Sequence, residues 1–521
     1  MDKMEKVEFG DFQTPLNLAR KVGEFLRDSG VTADVVVEPT CGRGSFIHAA
    51  IRAFPDAKAV YGFDINSAYV YEARQGLGCD EAQKVHLECR NFFHVDWEQF
   101  FADKNGRILV IGNPPWVTNS ALGALGSNNL PEKTNFQRHS GFAAKTGKAN
   151  FDISEWMLIR LLEALHRRTG CVAMLCKTTT ARKLLRHAWV SCLNIGRASL
   201  HLIDAQKHFQ ASVDACLLIV HTGIAEASAT ASVHPRLSFE ERMTTFGLVG
   251  NELVADIDEY RRLRDIDGIS CYTWRSGVKH DAAAVMEFKQ DDEHFTNGRG
   301  EKHQLETTYL FPLLKSSDVA NGRTTPDRYV LVTQRRPSDD TEEIQRVAPK
   351  TWAYLTAHAN ILDKRGSIIY KKRPRFSVFG IGDYTFAPWK VAVSGLYKNC
   401  RFEVVGQKHG KPIVLDDTCY FISCSSLEEA DFVCELLNSD VCQRFLKSLV
   451  FFDAKRPVTI DALNRIDLKK VAEHVSRESE ARSFLASAAE FEDSHLLLVF
   501  EKGAENRTKG SCFTQRDSRR H

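Results

Sequence analysis

The chain has 521 residues, of which 43% are hydrophobic and 26% are charged, and its formal net charge is +2. This length favours two to four domains, and the composition excludes a wholly disordered chain or a general polycation. The longest apolar runs fall far short of the roughly 20 residues that cross a bilayer. The N-terminus also lacks the apolar core of a secretory signal, so we expect a globular cytoplasmic protein.

The first 225 residues predict alternating strands and helices. A helical pattern at 18–28 precedes the first strand, and another at 154–168 precedes the fifth. Short apolar runs predict seven strands, at 35–37, 59–63, 85–87, 108–111, 171–175, 200–203 and 215–220. This alternation is typical of an α/β protein with a doubly wound, mainly parallel sheet that helices cover on both faces.

The pattern changes after residue 222. Segment 224–236, IAEASATASVHPR, predicts a linker, so we expect a first domain at 1–225 and a second, mixed α+β domain at 230–500. The polar and basic end, 503–521, predicts disorder. The 14 cysteines are scattered without a CxxC pair, which favours reduced, buried thiols over a metal site.

A glycine turn after the first predicted strand is the first candidate binding site. In VVVEPTCGRGSFIHAA, residues 35–50, the strand ends on an acidic residue, and Gly42 and Gly44 precede a helix. Ligands of doubly wound sheets bind at the carboxyl ends of the strands, where glycines let the backbone approach closely. The third glycine of a dinucleotide fingerprint is missing, which favours a ligand without phosphates. Asp64 ends the next strand at the position of a ribose-binding carboxylate, so together they indicate an adenosine-like cofactor.

The second candidate site is VIGNPPW, residues 110–116. Two consecutive prolines cannot donate to a sheet ladder, and they bias the preceding residue away from the helical conformation. The strand must therefore end in a stiff, extended turn. This turn would hold Asn113 and Trp116 in fixed positions at the carboxyl end of the strand.

The order of five motifs resembles that of class I S-adenosylmethionine-dependent amino-methyltransferases. The motifs are FGDFQTP at 9–15, EPTCGRGSF at 38–46, GFDIN at 62–66, RNFF at 90–93 and NPPW at 113–116. In particular they resemble the gamma class of adenine-N6 DNA methyltransferases from type II restriction-modification systems. The resemblance implies a Rossmann-like catalytic domain followed by a target-recognition domain.

The resemblance implies S-adenosylmethionine as the cofactor. Asp64 would hold its ribose, Ile65 and Phe92 would flank its adenine ring, and Asn91 stands where many members carry an aspartate that contacts the adenine amine. The methionine end would be surrounded by Thr14, Pro15, Glu38, Pro39, Thr40, Cys41 and Gly42.

The resemblance also gives NPPW a catalytic role. The amine of adenine is a poor nucleophile because its lone pair is delocalised into the ring. Asn113 and the Pro114 carbonyl, held by Pro115 and the stiff turn, would accept both amine hydrogens and favour the tetrahedral nitrogen of the transition state. Trp116 would stack on the target base after it leaves the duplex. No metal or covalent intermediate is required.

Further residues are expected to contact double-stranded DNA. Phe209 matches the family's second aromatic residue, on the other side of the flipped base. The long polar stretch after NPPW and a basic cluster of the second half would meet phosphates through Lys133, Arg138, Lys145, Lys148, Lys371, Lys372, Arg373 and Arg375.

Several alternatives stay open at this point. RNA adenine or a protein glutamine also presents a planar amine that NPP motifs serve, and a noncatalytic DNA-recognition subunit could retain the fold. As a modification enzyme, the protein would act near the nucleoid. A separate restriction endonuclease would then cleave the same DNA site.

Overall fold

The computed structural model describes residues 13–117, 152–223, 227–371 and 373–485. The chain divides into two compact units, residues 1–261 and 262–521. Among the described residues, no helix combines the length and the apolar character needed to cross a membrane. The predicted tail at 503–521 lies outside the described residues.

The first unit contains a ten-stranded sheet. Its strands are β1 (Val35–Glu38), β2 (Ala59–Asp64), β3 (Val85–Cys89), β4 (Ile108–Gly112), β5 (Gly170–Lys177), β6 (Ile195–Ile203), β7 (Ala215–Thr222), β8 (Thr230–His234), β9 (Thr244–Val249) and β10 (Glu252–Val254). Their order across the sheet is β10-β9-β8-β6-β7-β5-β4-β1-β2-β3. All seven strands predicted from the sequence are present, each within a slightly longer element.

Helices accompany these strands along the chain. They are α1 (Leu16–Asp28), α2 (Ser45–Ala53), α3 (Ser67–Gln75), α4 (Cys79–Ala82), α5 (Trp97–Ala102), α6 (Ile153–Leu165), α7 (Thr178–Val190), α8 (Ala205–Phe209) and α9 (Ile257–Arg262). The apolar residues of α1 recur at helical spacing, so Leu18, Val22 and Leu26 share one buried face. Both predicted helical patterns are confirmed.

Strand direction places the candidate motifs at one edge of this sheet. β3, β2, β1, β4 and β5 are parallel neighbours, and β7 is antiparallel between β5 and β6. The carboxyl ends of β1, β2 and β4 therefore meet at one edge. Glu38 and Asp64 are the last residues of their strands, and Asn113 directly follows β4. The predicted α/β fold of the first domain is confirmed.

The first unit extends beyond the predicted boundary at 225. β8 pairs in parallel with β6, and β9 and β10 continue the sheet as antiparallel neighbours. The segment interpreted as a linker therefore includes a strand. Only Ala231 and His234 of β8 are buried, so this strand needs no continuous apolar run. Its Ala, Ser and Thr residues therefore resemble a loop in sequence. The prediction of a second domain from residue 230 was wrong in its boundary, and the described division falls at 261/262.

The second unit mixes three small sheets with short helices. Its strands are β11 (Arg275–Ser276), β12 (Glu287–Asp291), β13 (His294–Asn297), β14 (Lys302–His303), β15 (Leu310–Leu314), β16 (Arg328–Leu331), β17 (Trp389–Ser394), β18 (Phe402–Val405), β19 (Gln407–Lys408), β20 (Lys411–Pro412), β21 (Val414–Leu415) and β22 (Cys419–Cys424). Their orders are β11-β22-β17-β18, β14-β13-β12-β16-β15-β21 and β19-β20. This arrangement agrees with the predicted α+β class.

The helices of this unit lie between its strands and after the last one. They are α10 (Ala283–Met286), α11 (Ser316–Ala320), α12 (Ile344–Val347), α13 (Pro349–Ala357), α14 (Ala359–Leu362), α15 (Leu427–Asn438), α16 (Asp440–Leu449), α17 (Ile460–Leu463), α18 (Leu468–His474) and α19 (Glu478–Phe484). One apolar cluster joins Phe288 and Val330 of the six-stranded sheet to Leu355 of α13. The unit therefore has its own core.

Candidate active site

A cleft opens at the carboxyl edge of the parallel strands in the first unit. The turns after β1, β2, β3 and β4 contribute to it, together with the residues before α1 and one side chain of α6. It is lined by Gln13, Thr14, Glu38, Pro39, Thr40, Cys41, Gly42, Ser45, Asp64, Ile65, Asn66, Tyr69, Arg90, Asn91, Phe92, Asn113, Pro115 and Met157. Residues from all five sequence motifs, which are far apart along the chain, thus share one cavity.

The glycine turn after β1 forms the floor of this cleft. Gly42 has φ +49°, where a larger residue would be strained, and a Cβ at this position would lie 2.7 Å from Oε1 of Gln13 and displace that side chain. Oε1 of Gln13 accepts a hydrogen bond from the backbone N–H of Arg43 at 3.2 Å. The Ser45 hydroxyl donates to the Thr14 carbonyl at 2.7 Å. These contacts attach the segment before α1 to the turn and bring Thr14 to the cleft.

Asp64 connects two turns of the cleft. Its Oδ2 accepts the backbone N–H of Gly42 at 2.8 Å, and its Oδ1 accepts that of Asn66 at 2.8 Å. Asn66 in turn caps α3, since its side chain accepts the N–H groups of Ala68 and Tyr69. A carboxylate offers about four acceptor sites, which suits Asp64 to binding the hydroxyls of a ribose as well.

Glu38 is the buried acidic residue of the cleft. It is 3% exposed, and its Oε2 has no hydrogen-bond partner among the described residues. Burial raises the pKa of Glu38 well above its ordinary value, and the nearby Asp64 carboxylate raises it further. Burial also raises the pKa of the neighbouring Cys41 thiol, which therefore stays protonated at neutral pH. A cation bound here would relieve the repulsion between the two carboxylates.

The turn after β3 offers an apolar wall beside an amide. Phe92 is buried against Trp97, whereas Ile65 is 42% exposed at the margin of the cleft. Oδ1 of Asn91 accepts the N–H of Phe93 at 2.9 Å. Its amide group is therefore left with two N–H donors, which suit the ring nitrogens of an adenine better than its amine.

These features fit S-adenosylmethionine. The unsatisfied Glu38 oxygen and its neighbour Asp64 suit a ligand with an ammonium group and ribose hydroxyls, and the glycine turn leaves room for close approach of the backbone. Ten of the eleven predicted cofactor residues line the cleft. The exception is Pro15, which is exposed and whose carbonyl accepts the N–H groups of Leu18 and Ala19 at the start of α1. Pro15 therefore contributes to the start of the helix and does not line the cleft.

The NPPW turn stands beside the same cleft. Asn113 and Pro115 line it, whereas Pro114 is buried behind it. The Thr40 hydroxyl donates to the Asn113 carbonyl at 3.4 Å, which connects the glycine turn to the first residue of NPPW. Gly112 before it has φ +155°, and a Cβ there would lie 3.3 Å from the side chain of Glu38.

Trp116 and Phe209 are brought together, but not as predicted. Their ring centroids lie 5.1 Å apart at an interplanar angle of 66°, and both side chains are buried in the core of the first unit. A base sandwiched between two rings needs about 7 Å, twice an ordinary 3.5 Å contact. The predicted sandwich is therefore absent from this conformation, because the two rings satisfy each other by edge-to-face packing.

The predicted phosphate contacts stay predictions, and the structure describes only some of their residues. Lys371 and Arg373 are exposed in the second unit, and Arg373 donates to the Pro337 carbonyl at 3.3 Å. Arg375 is paired with Asp363 at 2.7 Å, so its charge is partly neutralised within the protein. Outside the described residues lie Lys133, Arg138, Lys145, Lys148 and Lys372.

Sequence reasoning missed several residues of the cleft. They are Gln13, Ser45, Asn66, Tyr69, Arg90 and Met157. Asn66 could have been found as a helix cap after a strand, whereas Met157 is brought in by α6 and carries no local signal. Within the described part of the chain, no three His, Cys, Asp or Glu side chains are grouped to hold a metal ion.

Comparisons with known proteins show the family to which the chain belongs. No family model matches the chain. It is 44% identical over 469 residues, 90% of this chain and 98% of the relative, to the type II methyltransferase M.NspV of Nostoc sp. (strain ATCC 29411 / PCC 7524). Its fold is similar to that of the type IIL restriction-modification enzyme MmeI, with a TM-score of 0.54 at 12% identity over 99% of this chain and 78% of that one. The chain therefore belongs to the type II methyltransferases of restriction-modification systems, and its cofactor is S-adenosylmethionine.

Proposed function

We propose that this enzyme methylates the N6 amine of an adenine that has left duplex DNA. The observation that supports this most directly is the position of Asn113, which lines the same cleft as Glu38 and Asp64. An amine held by Asn113 would thus lie next to the methyl donor. The stiff diproline turn allows this side chain little freedom, which is the condition for electrostatic preorganisation.

Asn113 and Pro114 would activate the amine by accepting its hydrogens. Oδ1 of Asn113 takes one hydrogen and the Pro114 carbonyl takes the other, which favours a tetrahedral nitrogen with an available lone pair. When bound, S-adenosylmethionine supplies a methyl group on a positively charged sulfur. Thr40 fixes the Asn113 carbonyl, and the orientation of the amine supplies much of the remaining rate enhancement.

Trp116 and Phe209 would receive the adenine ring by separating from each other. Stacking of a base on an aromatic ring contributes roughly 1 to 3 kcal/mol, which is comparable with the cost of unstacking it from the duplex. The edge-to-face contact between Trp116 and Phe209 is worth about 0.5 to 1.5 kcal/mol. Two contacts with the base would therefore offset the loss of this contact.

Duplex DNA is the substrate that we favour over RNA or protein glutamine. MmeI, whose fold is similar, is described in complex with DNA. The second unit exposes Lys371 and Arg373, which suit phosphate contacts that depend on salt and carry no sequence information. A separate restriction endonuclease would cleave the same site when it is unmodified.

Methyl transfer to three substrate classes tests this proposal. The purified enzyme is incubated with methyl-labelled S-adenosylmethionine and duplex DNA, structured RNA or unfolded protein, each in a separate reaction. We expect label in DNA, and none in reactions with the Asn113→Ala variant. Label confined to RNA would assign the enzyme to RNA modification, and label confined to glutamine would assign it to protein modification; either result contradicts the proposal.

A further inference from the structure

A partly buried ion pair lies beside the NPPW turn. Lys177 is the last residue of β5, and its Nζ is 2.6 Å from Oδ2 of Asp152, the residue before α6. The side chain of Lys177 is 21% exposed and that of Asp152 is 9% exposed. Residues that are 25 positions apart in sequence thus form a pair that solvent screens only weakly.

Lys177 also contacts the catalytic motif itself. Its Nζ donates to the backbone carbonyl of Trp116 at 3.3 Å. β5 pairs with β4 only up to Met174, opposite Gly112, so its last three residues continue alongside the turn. The ring N–H of Trp116 donates to the Leu175 carbonyl at 3.4 Å. The end of β5 therefore holds Trp116 through both its backbone and its ring.

Asp152 extends this contact to the start of α6. Its Oδ1 accepts the backbone N–H and the hydroxyl of Ser154, at 3.0 and 2.6 Å. The N–H of Ile153 donates to the Val117 carbonyl at 2.9 Å, so the residue directly after Trp116 is attached to the same helix start. Lys177 and Asp152 together connect the exit of the turn, the end of β5 and the first turn of α6.

We propose that Lys177 is a positioning residue for methyl transfer, which acts with Asp152 by fixing the second half of the NPPW turn. The prolines already restrict the first half of the turn. A cation on the Trp116 carbonyl restricts the second half, so that Asn113 and the Trp116 ring keep a constant relation to the cofactor cleft. Neither Lys177 nor Asp152 lines that cleft, so cofactor binding does not depend on them. This inference rests on the proposed role of the turn.

The test compares Lys177→Met with a matched control at a neighbouring ion pair between α6 and α7. Lys183 on α7 pairs with the buried Glu155 of α6 at 2.8 Å, and Lys183→Met removes a similar ion pair without touching the turn. We expect Lys177→Met to lower the single-turnover methyl-transfer rate by about 10- to 100-fold, because a displacement near 1 Å has effects of this size. Affinity for S-adenosylmethionine should stay within about threefold of wild type, and thermal stability should match that of Lys183→Met.

Two further variants separate positioning from a general structural role. Lys177→Arg keeps a cation and a donor, so it should recover at least about a third of the rate. Asp152→Asn should lower the rate by itself and add little to Lys177→Met, because both act through one contact. The inference is overturned if Lys177→Met transfers methyl groups as fast as Lys183→Met, or if its cofactor affinity falls in parallel with its rate. A wild-type enzyme that modifies RNA or protein would overturn the proposed function alone, since the variants are compared on whichever substrate accepts label.

Discussion

The backbone N–H of Gly42 donates to Oδ2 of Asp64 at 2.8 Å, which joins the glycine turn after β1 to the end of β2. The other oxygen of Asp64 accepts the N–H of Asn66. The residue expected to hold the ribose is therefore also the residue that shapes the cleft. We therefore expect its contribution to cofactor binding to combine a direct contact with the preorganisation of two turns.

Asp64→Asn should weaken cofactor binding. An amide has one oxygen, so one of the two backbone donors loses its acceptor. A hydrogen bond to a charged group is worth about 1.5 to 3 kcal/mol, which corresponds to roughly 10- to 100-fold in affinity. Calorimetric titration with S-adenosylmethionine measures this change. The matched control is Asp96→Asn, which makes the same chemical change at a helix cap outside the cleft and should leave affinity unchanged. Equal affinities of the two variants would contradict the role of Asp64.

Glu38 should make cofactor affinity depend on pH. Its raised pKa keeps a fraction of the free protein protonated, and the ammonium of the cofactor favours the ionised form. Binding therefore releases a proton, and affinity should rise with pH until the pH exceeds the pKa of Glu38 in the free protein. Titrations in buffers of different ionisation enthalpy measure this release directly. Glu38→Gln should bind more weakly and lose the pH dependence; a variant that keeps the dependence would show that another group titrates.

The buried imidazole of His201, which stacks on that of His234, should make the first unit sensitive to acid. Their ring centroids lie 4.6 Å apart, and His201 is fully buried. Burial lowers the pKa of His201 from 6.5 to about 4. The unfolded chain binds this proton first, so stability is full above pH 6.5 and falls as the pH drops toward 4. Urea unfolding across this range measures the loss. The His201→Gln variant should be less stable at neutral pH, and its free energy of unfolding should change less with pH. A change as steep as in the wild type would exclude His201 as the group that causes the acid sensitivity.

Phe209→Leu should impair methyl transfer most on intact duplexes. Leucine keeps most of the side-chain volume in the core, so the free energy of unfolding should fall by less than about 1.5 kcal/mol. The variant cannot provide the second aromatic contact, so capture of an extruded base should suffer. Single-turnover rates on a normal duplex are compared with rates on a duplex whose target faces an abasic site. Equal losses on the two substrates would argue against a role in stacking.

The position of the cleft could be predicted from sequence because it follows from strand direction. Once β1, β2 and β4 are parallel, their carboxyl ends must lie at one edge, and Glu38, Asp64 and Asn113 must lie there with them. Local patterns of this kind, a strand followed by a turn, are encoded in adjacent residues. The same is true of Gly42, whose positive φ a glycine supplies without strain.

Other features depend on contacts that are distant in sequence. β8 was interpreted as part of a linker because its small polar residues gain strand structure only by pairing with β6. The edge-to-face packing of Trp116 on Phe209 depends on how α8 packs near the turn. The pair of Lys177 and Asp152 likewise has no local pattern, since each residue alone is an ordinary helix-boundary residue.

The chemical identity of the methylated atom tests the central claim most directly. Duplex DNA is methylated by wild type and by Asn113→Ala, and the nucleosides are separated and identified by mass spectrometry. We predict N6-methyladenine as the product of the wild type, and a rate lower by about 100-fold or more for the variant, whose affinity for S-adenosylmethionine should stay within about threefold. Methylated cytosine as the product, or N6-methyladenine formed at an undiminished rate by Asn113→Ala, would contradict the account.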